Sequence, residues 1–153
     1  MKLLLLVLTA FSLCLEATIF NSKAIVHPEV GKNGMVVSQH YLATNAGHSI
    51  LAEGGNAYDA SIAVAFALAV VLPRAGNIGG GGFMVMFDEA SQKSYSIDYR
   101  EMAPEAATKN MFLAADGSVD KKIATKRVLS IGVPGTVYGM WEVHKKFGSL
   151  PWS

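Results

Sequence analysis

Apolar residues fall into a few distinct periodicities along the chain. From His40 to Glu53, Leu42, Ala46, Ile50 and Leu51 recur at helical spacing, which predicts a helix closed by Gly54-Gly55. A second helix is predicted at once. Asn56 is a good N-cap, and Asp59 sits three residues on, where a carboxylate meets free amides and the positive end of the helix dipole. From Ala60 to Leu72 every residue but Ser61 is apolar, until Pro73 stops the run. A helix apolar all round is expected to be buried on all sides. It is too short to cross a bilayer, which takes about 20 residues.

The period then changes from helical to alternating. Phe83–Phe87 reads as an apolar strand, Asp88–Lys93 as a polar connection, and Ser94–Tyr99 as the returning strand, with Tyr95, Ile97 and Tyr99 on one face. Met35–Ser38 is a short β-branched run and a further strand candidate, after an extended lead-in over 25–34. Residues 102–112 are expected to be helical, Asp116-Gly117 to turn, and 118–127 to be polar and exposed. Gly132–Thr136 is a second glycine corner, and a helix from Thr136 to Lys146 presents Val137, Met140, Trp141 and Val143, with Gly148 closing it. Leu150–Ser153 follows without a terminal element. Helices and one hairpin in this order indicate the α+β class. The residues after 24 are few to cover the apolar helix, so this is expected to be part of a larger domain.

Composition changes the picture at the N-terminus. Of the residues 51% are hydrophobic and 16% charged, against about 25% charged in an average soluble domain. Lys2 followed by apolar Leu3–Leu15 has the form of an export signal. Residues 1–24 are assigned to it, with cleavage after Ala24 and Ala17 as second choice. The expected location is periplasmic or extracellular, or membrane-anchored if the signal stays uncleaved. Cys14 is the only cysteine, so a chain without the signal has neither disulfide framework nor thiolate metal site. Leu13 is too large for the small residue that usually precedes a lipoprotein cysteine. A net charge of +1 with scattered basic residues argues against nucleic acid as a partner.

The candidate chemistry lies between Gly76 and Pro104. Gly79, Gly80, Gly81 and Gly82 are consecutive, at about 0.5–1 kcal/mol each relative to alanine in an ordered element. Such a run suits a backbone that lies against something with no room for a Cβ. A dinucleotide fingerprint needs strand, glycine loop and then helix. Here a helix precedes the loop and a strand follows, and no Gly-Lys-Ser/Thr ends it as in a P-loop. Arg100, at the end of the second strand, carries a planar fork suited to a carboxylate. Its plainer reading is a surface cation or a partner for Asp98 or Glu101. The four histidines show no H-E-x-x-H spacing, and there is no G-x-S-x-G elbow. From the residues alone this is an exported α+β piece with a candidate carboxylate-binding corner and no complete catalytic set.

Four stretches carry a resemblance. They are Leu51–Ala60 (LAEGGNAYDA), Gly76–Phe83 (GNIGGGGF), Asp98–Pro104 (DYREMAP) and Gly132–Gly139 (GVPGTVYG). In this order and spacing they resemble the γ-glutamyltransferase (γ-glutamyltranspeptidase, glutathione hydrolase) family, over about Met35 to Trp152. The resemblance implies an αββα N-terminal-nucleophile hydrolase sandwich, incomplete in this chain, with residues 25–153 forming the N-terminal portion of the large subunit. It implies a precursor that cuts itself, so that the small subunit begins with the nucleophilic threonine. The implied partners are glutathione and other γ-glutamyl compounds, amino-acid or peptide acceptors, and the small subunit of the same precursor. No cofactor or metal is implied. Arg100 resembles the arginine that grips the substrate α-carboxylate, with Asp98 and Glu101 supporting it and Gly79–Gly82 as a structural wall. The family nucleophile lies beyond residue 153. Thr44, Thr108, Thr125 and Thr136 stand in other contexts, so this chain alone is expected to be catalytically silent. The rival expectation is a non-catalytic remnant or a γ-glutamyl-binding fragment.

Overall fold

Local capping fixes the first two helices. A computed structural model describes residues 28–75 and 77–152, and every element lies in the compact unit that begins at Asn33. The expected export signal, the start of the lead-in, Gly76 and Ser153 lie outside the described residues. Helix α1 spans Tyr41–Ala52, where the His40 side chain accepts from the Leu42 amide. Gly54 takes φ +90°, the left-handed conformation that ends a helix cheaply in glycine. Helix α2 spans Ala57–Val71. Its capping box is complete: the Asn56 side chain accepts from the Tyr58 and Asp59 amides, and the Asp59 carboxylate accepts from the Asn56 amide.

A hairpin and a final helix supply the rest of the core. Strand β1, Phe83–Asp88, pairs antiparallel with β2, Lys93–Asp98, in the register Phe83 opposite Asp98 through Asp88 opposite Lys93. After the short helix α3, Lys121–Lys126, and a 3₁₀ turn at Val128–Ser130, helix α4 spans Thr136–Phe147. Ile62 of α2, Met86 of β1, and Met140 and Val143 of α4 form the buried centre. Tyr95, Ile97 and Tyr99 pack against it from the face that their alternation predicts. The opposite face of β1 is apolar and uncovered among the described residues, with Phe83 64% and Val85 81% exposed.

Three expectations are corrected. Residues 35–38 form no strand, because no described residue pairs with their backbone. Residues 102–112 form no helix. Met102 instead makes a two-way bridge with Val133, and the bonds Ala107 to Pro104, Met111 to Thr108 and Leu113 to Asn110 each close only a four-residue turn. Residues 118–127 hold no buried side chain, in keeping with the exposure expected of them, and 121–126 form a helix there, started by Asp120, whose carboxylate accepts from the Lys122 and Ile123 amides. Finally, α2 is buried at its N-terminal turns, at Asp59, Ala60 and Ile62, but not all round, since Val70 is 78% exposed. Among the described residues α1 and α4 cover only part of its surface.

The C-terminal end is tied to α2. Asp59 is buried and accepts from the Ser149 hydroxyl at 2.7 Å and the Ser149 amide at 3.1 Å, while Asn56 donates to the Phe147 carbonyl at 2.7 Å. Burial opposes ionisation of Asp59, but the Ser149 hydroxyl and the amides of Asn56, Ser149 and Leu150 outweigh it and hold its pKa below the usual value of 3.8. Trp152 packs edge-on against Trp141, His144 and Phe66.

Candidate substrate-binding corner

The corner is built from three segments that meet at the end of β2. The Tyr99 amide donates to the Gly82 carbonyl, extending the hairpin by one bond. The Gly80 carbonyl accepts from the amides of Gly135 at 2.9 Å and Thr136 at 3.1 Å, which joins the glycine loop to the start of α4. Met102 and Val133 exchange two backbone bonds, at 2.8 and 3.2 Å. Residues 99–102 therefore run between the glycine loop and the second glycine corner, held to both.

The four loop glycines differ in what surrounds them. A Cβ on Gly81 would stand 2.5 Å from the Tyr99 carbonyl oxygen and 2.7 Å from Arg100 Cα, and a Cβ on Gly82 would stand 3.1 Å from the Tyr99 ring. Gly79 faces the Asn77 side chain, and Gly80 lies near Glu101 Oε1. A cleft of about 300 Å³ opens beside the loop, with Arg74, Asn77, Tyr99, Glu101 and Thr136 among its walls. Tyr99 is half-buried there, and burial raises its phenol above the ordinary value of 10.0.

Arg100 is exposed at the end of this strip and is not part of the cleft wall. The Asp98 carboxylate accepts from the Arg100 backbone amide at 2.9 Å, so Asp98 fixes the turn in the main chain. Among the described residues Lys145 pairs with Glu142 and His144 Nε2 lies 3.8 Å from Asp59 Oδ1, while neither Asp98 nor Glu101 comes within 4 Å of the Arg100 guanidinium. A fork without a carboxylate partner among the described residues, on a backbone held by three sets of hydrogen bonds, can take a carboxylate from outside. No three His, Cys, Asp or Glu side chains gather at metal-binding range among the described residues. The sequence singled out the glycine loop and Arg100. It did not show that Tyr99, Gly135 and Thr136 join them, although the Gly-Val-Pro-Gly-Thr corner was visible as a tight turn of unknown partner.

The glutathione hydrolase proenzyme of Pseudomonas sp. (strain A14) is 48% identical over 136 residues, which is 88% of this chain and 24% of that protein. The solved γ-glutamyltranspeptidase of Helicobacter pylori is 49% identical, with a TM-score of 0.76 over 81% of this chain and 35% of that one. The γ-glutamyltranspeptidase of Pseudomonas nitroreducens, solved with L-DON, is 46% identical, with a TM-score of 0.74 over 80% of this chain and 36% of that one. The chain thus spans about a quarter of the length of the curated relative. The helices and hairpin described above are an α+β part of the N-terminal-nucleophile hydrolase fold of these structures. A family model for gamma-glutamyltranspeptidase matches residues 43–153, a stretch that holds the glycine loop, Arg100 and the second corner alike, and the chain belongs to that family.

Proposed function

We propose that this chain is the N-terminal part of the large subunit of an exported γ-glutamyltransferase that transfers or hydrolyses the γ-glutamyl group of glutathione and related compounds. The observation that carries the proposal is Arg100: an exposed guanidinium without a carboxylate partner among the described residues, on a strip pinned by two glycine corners. Arg100 holds the α-carboxylate of the γ-glutamyl group and so sets the distance of the γ-carbonyl from the nucleophile. Asp98 supports it through the main chain, and Glu101 borders the adjoining cleft. The nucleophile is a threonine outside this chain, freed when the precursor cuts itself into large and small subunits, with its own α-amino group as base. Its oxygen attacks the γ-carbonyl carbon, the amide C–N bond breaks, and the proton passes to the leaving amine. Water or an amino-acid or peptide acceptor then takes the γ-glutamyl group. The reaction needs no metal or organic cofactor.

The test is Arg100→Lys in the full precursor, which keeps the charge and loses the fork. Sharply weakened kcat/KM for γ-glutamyl substrates is expected, and unchanged kinetics would refute the role. Export through residues 1–24 predicts a mature protein beginning at Ile25; a protein that keeps Met1 and sediments with membranes would instead be anchored. No helix among the described residues is long and apolar enough to cross a membrane. A second reading is a remnant without activity, in which the apolar residues Val70, Phe83 and Val85 stay uncovered. Glutathione added to the 153-residue chain separates the two forms of that reading: a raised melting temperature marks a γ-glutamyl-binding fragment, and its absence a remnant that does not bind.

A further inference from the structure

Two glycines on different segments converge on one peptide bond, and neither needs to be glycine for its backbone angles. Gly135 has φ −112° and ψ −15°, a conformation open to any residue, and Gly81 lies outside the left-handed region. What each lacks is room. A Cβ on Gly135 would overlap the Tyr99 carbonyl oxygen and stand 2.7 Å from the carbonyl carbon, and a Cβ on Gly81 would meet the same oxygen as well as Arg100 Cα and the Glu101 amide nitrogen. The neighbouring Gly132 is less tight, with a Cβ at 3.0 Å from Glu101 Cβ. Gly135 is held in place by the hydrogen bond that its amide donates to the Gly80 carbonyl. The Tyr99–Arg100 peptide is therefore fixed by contact from the glycine loop and from a corner some 35 residues further along the sequence.

We infer that Gly135 and Gly81 are positioning residues for Arg100: they set the height and direction from which its guanidinium meets a substrate carboxylate. This rests on the reading of Arg100 as the α-carboxylate clamp. A methyl at either position pushes the Tyr99–Arg100 backbone aside by about an ångström, and a displacement of that size in a positioning group can cost about a hundredfold in rate. The defect is specific to substrates that carry the carboxylate.

The experiment compares two amide substrates in the full precursor. One is a γ-glutamyl amide; the other is the matching 4-aminobutanoyl amide, which is the same molecule with hydrogen in place of the α-carboxylate. The ratio of their kcat/KM values reads the clamp alone, because a general loss of folded enzyme lowers both equally. Gly135→Ala and Gly81→Ala are expected to lower the ratio about tenfold or more. Gly132→Ala, where the neighbour yields by a few tenths of an ångström, is expected to lower it about two- to threefold. Gly117→Ala strains a left-handed turn with no atom in contact and should leave the ratio unchanged. If both substrates slow in parallel in Gly135→Ala and Gly81→Ala, the inference is overturned. Should those two variants fail to mature, Gly132→Ala decides: a lowered ratio supports the inference and an unchanged one overturns it. Arg100→Ala separates the two levels. If it leaves the ratio unchanged, the clamp reading has failed; if it collapses the ratio and the glycine variants do not, only the positioning inference has failed.

Discussion

Replacing Asp59 with asparagine tests whether the joint between α2 and the segment after α4 holds the fold together. The carboxylate accepts from the Asn56 amide at 2.9 Å, the Ser149 hydroxyl at 2.7 Å and the Ser149 amide at 3.1 Å, all on Oδ2. Asparagine fits the same space and can keep an oxygen there, but each bond changes from charge-assisted to neutral. That change is worth about 1 kcal/mol per bond, so about 3 kcal/mol in all. The new amide would also point a donor at the Ser149 amide, now 3.2 Å from Oδ1. For a domain of this size the loss corresponds to a melting temperature lower by roughly 10 °C. Urea melts followed by tryptophan fluorescence suit the question, because Trp141 and Trp152, the only tryptophans in the sequence, lie beside this joint with ring centres 5.2 Å apart. The pH dependence follows from the lowered pKa of Asp59. A carboxyl with a depressed folded pKa contributes its full stabilisation above the unfolded value, here 3.8, and loses it as pH falls through the lower folded value. The difference between wild type and Asp59→Asn should therefore shrink as pH falls below about 4. A difference under about 1 kcal/mol at pH 7, or one that persists undiminished in strong acid, would refute this account of the joint.

Other substitutions separate neighbouring positions. Met86→Ala on the inward face of β1 should cost about 2–5 kcal/mol, whereas Val85→Ala on the uncovered face should stay within about 0.5 kcal/mol in the same melts of this chain. Gly139→Ala drives a methyl into Cβ and the ring of Tyr99 and should destabilise by about 1–3 kcal/mol, read from the urea midpoint at constant m-value. Arg100→Lys should lower kcat/KM of the precursor for γ-glutamyl amides by about 10–100-fold, the worth of one lost charge-assisted hydrogen bond, while leaving the urea midpoint of this chain unchanged.

What the sequence disclosed and what it hid divide by range. The capping of α2 by Asn56 and Asp59, the Gly54 stop and the inward alternation of Tyr95, Ile97 and Tyr99 depend on residues within a few positions of one another, and all were legible. The missing helix over 102–112 is the converse case. Its local pattern is helical, but Met102 is drawn into a bridge with Val133, a partner that no local rule could name. Asp59 shows both sides in one residue, since the spacing explains its bond to Asn56 and says nothing of Ser149, 90 positions away.

The glycines make the same division in chemical terms. In the sequence Gly54, Gly81, Gly117 and Gly135 are alike, yet Gly54 and Gly117 are needed for positive φ with empty space around them, while Gly81 and Gly135 are needed for space with no left-handed angle. Only the first kind belongs to turns. The second kind records a neighbour, and here both record the same one, the peptide that leads into Arg100. A glycine-rich motif without phosphate-binding order is therefore best questioned for what lies against it. In this chain that question leads from the glycine loop and the second corner to the cation between them, and under the proposed role of Arg100 their part is to place it rather than to supply chemistry of their own.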